Sequence, residues 1–109
     1  MSAPAQQEPL DYSGVVGLDR MVHEPARLAI LAVLAGCESA DFPFLLAATG
    51  LTKGNLSAQA IKLEEAGYVS IEKRFTGRVP STHYRLTAAG AAALAQYSQQ
   101  LRIALDKLK

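Results

Sequence analysis

The side chains with the most chemistry to offer sit in two neighbouring stretches. Lys53, Asn55, Ser57, Ala58, Gln59 and Lys62 follow one another at spacings that keep them off the apolar face of a helix. Further along, Lys73, Arg74 and Arg78 crowd a short segment rich in turn formers, with His83 just beyond. Amides, a hydroxyl and cationic groups in such a pattern donate and accept hydrogen bonds at base edges and neutralise phosphates. Gln59 carries the two-sided amide that pairs with adenine or bonds a phosphate, whereas Ile61 offers only contact with a thymine methyl. Each set also has a plain role. The first is a solvated helix face, and the second is a row of charges guarding an exposed strand.

Other chemistries lack their parts. No Ser/His/Asp elbow, Gly-rich phosphate loop or pair of carboxylates set for acid–base work is present, so no enzyme activity and no cofactor are expected. His23, His83 and Cys37 do not have the clustered spacing of metal ligands, so no metal is expected. Cys37 beside Gly36 reads as a small apolar filler rather than a redox sensor. One cysteine makes no intramolecular disulfide and no secretory leader pattern is seen, which predicts a cytoplasmic protein. The longest uncharged apolar run, residues 28–37, is too short for a hydrocarbon core, so no membrane span is expected.

Charge sharpens the first point. The chain of 109 residues carries a net charge of +1, but unevenly. Residues 1–52 hold two basic groups, Arg20 and Arg27, against six acidic ones. Residues 53–85 hold six basic groups against Glu64, Glu65 and Glu72. Both candidate stretches fall in this basic part, the expected footprint of an anionic partner.

The elements that must carry them follow from pattern. Residues 1–13 have no apolar period and read as a flexible tail, leaving one domain over 14–109. A helical turn around residues 18–22 precedes a helix over 25–35, entered at Pro25 and stopped at Gly36. A short helix over 42–48, capped by Asp41 or entered at Pro43, ends at Gly50. Thr52 caps a third helix over 53–66 whose Leu56, Ala60 and Leu63 share one face. The turn between these two helices, Thr49-Gly50-Leu51-Thr52, has helix-turn-helix length. Alternation over 68–75 and 82–86 predicts a hairpin with its loop at 76–81. Thr87 then caps a helix over 88–109, about 33 Å long at the helical rise. The fold class is mainly α with a small β-hairpin: a winged helix-turn-helix with a long C-terminal dimerisation helix.

The segment Leu51-Thr52-Lys53-Gly54-Asn55-Leu56-Ser57 with Lys62-Leu63-Glu64-Glu65-Ala66-Gly67-Tyr68-Val69 resembles the recognition helix of small MarR/ArsR-like winged-helix transcriptional regulators. Residues 73–82, and Tyr84-Arg85-Leu86-Thr87-Ala88-Ala89-Gly90 after them, are similar to the wing and following helix start of that group. His23-Glu24-Pro25-Ala26-Arg27-Leu28 is similar to its first-helix signature. The resemblance implies a homodimeric regulator that binds specific double-stranded DNA. It departs from the group at Gln59, Ala60 and Ile61, so no sequence preference carries over.

Within that frame, Lys62, Lys73, Arg74 and Arg78 are expected to anchor phosphates, and Lys53, Asn55, Ser57 and Gln59 to read bases, with Ala58 on the same face. Leu94, Tyr97, Leu101, Ala104 and Leu108 repeat as a heptad stripe, expected to form the dimer interface with Leu18 and Val22. A competing use of the fold is a protein-interaction module that does not bind DNA. A small-molecule effector is not identified by any residue pattern.

Overall fold

The computed structural model describes residues 11–108. Its elements are α1 (Ser13–Val16), α2 (Pro25–Ala35), β1 (Ala40–Asp41), α3 (Phe42–Thr49), α4 (Lys53–Glu65), β2 (Val69–Thr76), β3 (Val79–Leu86) and α5 (Ala88–Asp106). Residues 1–10 of the expected tail lie outside the described residues.

Local chemistry sets the helix starts. The Glu24 carboxylate accepts from the backbone N–H groups of Ala26 at 3.1 Å and Arg27 at 2.8 Å, and Pro25, which has no N–H to leave unpaired, occupies the first helical position of α2. Asp41 accepts from the Phe44 N–H at 2.9 Å, Thr52 from Asn55 at 3.1 Å, and Thr87 from Gly90 at 3.0 Å, so α3, α4 and α5 each begin on a capped turn. α3 ends at Gly50, and the short link to α4 completes the helix-turn-helix.

The sheet is antiparallel with strand order β1-β3-β2, and it differs from the expected hairpin in two ways. The ribbon is longer: Thr76 pairs with Val79, so the loop shrinks from 76–81 to Gly77 and Arg78 alone. Gly77 has φ 65°, the positive value that a two-residue turn of this hand needs at its first position. Pro80 does not interrupt the strand, because β1 pairs β3 only at His83 and Tyr84, which leaves an open edge beside Pro80. The second difference is β1 itself, whose two residues are too few to show an alternating period.

The turn expected over 18–22 is not helical. The four-residue α1 lies earlier, and residues 17–24 run as turns held by Asp19, whose side chain accepts from the Met21 N–H at 2.9 Å. That carboxylate offers the backbone a local alternative to helix.

One core joins these parts. Ile30, Leu31 and Leu34 of α2 meet Leu45 of α3, Leu56 and Leu63 of α4, Val69 of β2 and Val22, all at 2% exposure or less. Burial of each such side chain contributes about 1.5–3 kcal/mol. α5 returns over this core: Tyr97 joins the cluster, and Leu94 and Leu101 pack against it. Gly90 lets α5 start against the backbone of Tyr68, whose carbonyl a side chain at position 90 would strike.

Candidate nucleic-acid interface

The core fixes which face of α4 is free. Leu56, Ala60 and Leu63 hold the helix down, and Lys53, Asn55, Ser57, Ala58, Ile61, Lys62 and Glu64 are exposed. Helical spacing divides the exposed side chains into two flanks. Asn55, Gln59 and Lys62 run along the flank nearer the start of α2, where the Lys62 charge is felt by Glu24. Ser57, Ile61 and Glu64 run along the other, where they share a groove of about 620 Å³ with Phe42, Ile71, Lys73, Thr82 and Tyr84.

Strand alternation then sorts the wing. Lys73 points into that groove, on the same side as α4. Arg74, one residue on, points to the opposite face among Ser70, Glu72, His83 and Arg85, and pairs with Glu72 at 3.1 Å. The pairing holds the Glu72 carboxyl below its ordinary range. Arg74, expected with Lys73 among the phosphate anchors, is thus set by the period-2 pleat on the other face of the ribbon, beside Glu72. His83 faces the same way as Arg74 and shares a hydrogen bond of 3.0 Å with the Ser81 hydroxyl. Arg78 stands at the tip of the ribbon. Neither ion pair found among the described residues involves Lys53, Lys62, Lys73 or Arg78.

Gln59, expected to read bases, has partners for its amide within the chain. Its Oε1 accepts from Arg27 Nη1 at 2.8 Å, and its Nε2 donates to Asn55 Oδ1 at 3.1 Å. Arg27 also donates to the carbonyls of Met21 at 2.8 Å and Arg20 at 3.2 Å, and its side chain is only 14% exposed. Each end of the Gln59 amide thus has one partner within the chain, and the side chain bridges Arg27 of α2 to Asn55. Sequence alone does not reveal this role of Arg27, because Gln59 is 32 residues away and leaves no local signal.

The stripe on α5, expected at a dimer interface, is largely covered within a single chain. Leu18, Val22, Tyr97 and Ala104 are at most 6% exposed within a single chain, while Leu94 and Leu101 pack on the core. Heptad spacing marks a face that needs covering, and here the chain's own α2 and N-terminal turns cover it. The Tyr97 hydroxyl completes this contact at 2.6 Å from His23 Nδ1. Of the seven residues expected at a dimer interface, Leu108 alone is strongly exposed, at 71%. The apolar side chains left open near it are Val15 and Val16 of α1 and Ile103 and Leu105 of α5. Between these two helices lies a cavity of about 120 Å³ lined by Tyr12, Val15, Ile103 and Ala104.

A winged helix DNA-binding domain is the family whose sequence pattern matches residues 26–105, from the first turn of α2 almost to the end of α5. The chain belongs to this family. An uncharacterised protein of Methanocaldococcus jannaschii is 35% identical over 83 residues, which is 75% of this chain and 89% of that protein. The transcriptional regulator homologue of Pyrococcus horikoshii OT3 superposes with a TM-score of 0.81 at 25% identity, over 92% of this chain and 99% of that one. A MarR-family regulator of Enterococcus faecalis V583 shares the fold, with a TM-score of 0.69 at 20% identity over 93% and 89% of the two chains. The winged-helix expectation holds, and the family and fold are those of DNA-binding regulators rather than enzymes. No helix among the described residues is long and apolar enough to cross a membrane.

Proposed function

We propose that this protein is a transcriptional regulator that binds specific double-stranded DNA as a homodimer. One observation carries the proposal: the exposed face of α4 and Lys73 of the wing line one groove, Arg78 stands at the tip of the same ribbon, and no ion pair among the described residues occupies either cation. In this reading the N-terminal half of α4 enters a major groove about 12 Å wide. Lys53, Asn55 and Ser57 then meet base edges, with Ala58 available to a thymine methyl, while Lys62, Lys73 and Arg78 grip phosphates. Arg74 stays on the far face with Glu72, and Gln59 supports Asn55 from behind.

Two copies associate through the apolar side chains open on α1 and α5, with Val15, Val16, Ile103 and Leu108 at the centre. A twofold dimer presents two recognition helices to half-sites about 34 Å apart, one turn of the duplex.

Separate variants test the two kinds of contact. Arg78→Ala weakens binding to all duplexes alike and, in a dimer, lowers the salt slope by about 2. Asn55→Ala changes which sequences are preferred, at a cost of about 1–3 kcal/mol on the preferred site. Selection from a random duplex pool combined with fluorescence anisotropy separates these effects. An exchange of the two behaviours refutes the roles, and a folded protein that binds no DNA points instead to a protein partner.

A further inference from the structure

Arg27, Gln59 and Asn55 form a chain of hydrogen bonds with a fixed direction. A guanidinium has donors only, so the Gln59 oxygen must face Arg27, at 2.8 Å. This turns the Gln59 NH2 toward Asn55, where it meets Oδ1 at 3.1 Å. One of the two lone pairs of the Asn55 oxygen is thereby engaged and the orientation of the amide set, while its NH2 group, on the first turn of α4, has no partner among the described residues. The bidentate grip of an asparagine on adenine needs both ends of the amide, the oxygen on N6–H and the nitrogen on N7. Guanine offers two acceptors side by side, O6 and N7, and makes no such demand.

We infer that Asn55 reads guanine as a donor, and that Arg27, acting through Gln59 as a positioning residue, decides this choice over adenine. The inference rests on the DNA-binding reading above and adds a specific base to it. Gln59 is the point at which the chain reverses. A glutamate at position 59 still accepts from Arg27 but has nothing to donate, so Asn55 must turn its NH2 inward and present its oxygen to the groove.

The test begins with duplexes selected from a random pool by the wild type and by Asn55→Ala, whose comparison locates the base pair that depends on Asn55. That pair is expected to be G·C. Replacing its guanine with 7-deazaguanine, or the whole pair with A·T, is expected to weaken wild-type binding by about 5- to 10-fold and to leave Asn55→Ala unaffected. Gln59→Glu is expected to prefer A·T there, whatever its overall loss of affinity from the added negative charge. Gln59→Leu, which neither donates nor accepts, is expected to lose the preference at that pair alone, and thermal melts of both variants show that they are folded. An A·T pair selected by the wild type at this position overturns the inference, as does indifference to 7-deazaguanine or an unchanged preference in folded Gln59→Glu. A wild type that binds DNA with no pair dependent on Asn55 overturns it while the DNA-binding reading stands. A folded wild type that binds no duplex removes both.

Discussion

At the scale of single residues, side chains that look alike in sequence are given different work by their partners. Asn55 and Gln59 both carry amides on α4, yet Gln59 is braced by Arg27 and Asn55 is exposed. Lys73 and Arg74 are adjacent cations on opposite faces of the wing. The N-terminal caps were legible because capping is a local event: Asp41, Thr52 and Thr87 all accept the expected backbone N–H. The braces were not, since Arg27–Gln59 spans 32 residues and His23–Tyr97 spans 74.

One long-range bond also makes stability depend on pH. The Tyr68 hydroxyl donates to Asp19 Oδ2 at 2.9 Å, and this bond, partial burial and the nearby carboxylate charge raise its pKa above the ordinary 10.0. A folded-state pKa above the unfolded one gives a contribution that is complete below pH 10.0 and is lost as pH rises through the folded value. Melting temperature should therefore fall as pH rises from 10.0 toward that value. Tyr68→Phe should show a smaller fall, the remainder coming from Tyr84 and Tyr97, whose pKa values burial also raises. An alkaline fall of the same size in both proteins would assign Tyr68 no part in it.

At the scale of elements, α4 and the wing are useful only if held at a fixed angle. Only Gly67 and Tyr68 separate the C-terminal cap of α4, Ala66, from the start of β2, and the Tyr68 carbonyl at that corner accepts from the Thr87 N–H at 3.1 Å. Gly90 then brings α5 against the same carbonyl. Gly90→Ala should destabilise the fold by about 1–3 kcal/mol, read as a shift in the denaturation midpoint, because the added methyl meets backbone rather than a mobile side chain. A neutral or stabilising result would mean that the corner can open without loss. Leu63→Ala, which leaves a void beneath α4, should cost about 2–5 kcal/mol in the same measurement. α2, α3 and α4 were legible from period and caps to within a residue, α5 ends at Asp106 short of its expected extent, and the short α1 was not legible. The wing was legible in kind but not in length, because Pro80 reads as a turn former and only the pairing of β1 with β3 shows that it stands at an open edge.

At the scale of the whole molecule, the heptad stripe on α5 holds a general lesson. Spacing reports that a face is apolar; it does not report whether the same chain or another one covers it. Tyr97 and Ala104 are covered by their own chain, and the apolar surface left over moves to Val15, Val16, Ile103 and Leu108. Ile103→Glu should therefore leave the melting of the single domain almost unchanged while light scattering shows a monomer in place of a dimer. A dimer that survives Ile103→Glu together with Leu108→Glu would place the contact elsewhere.

If α4 and the wing form one phosphate-neutralising surface, DNA binding must weaken with salt, which fluorescence anisotropy with a random duplex pool measures across a salt series. Lys62, Lys73 and Arg78 from each of two protomers predict a log–log slope of about −5, which amounts to roughly a thousandfold loss of affinity between 50 and 200 mM salt. A folded protein whose binding is absent at low salt, or is indifferent to salt, would contradict it.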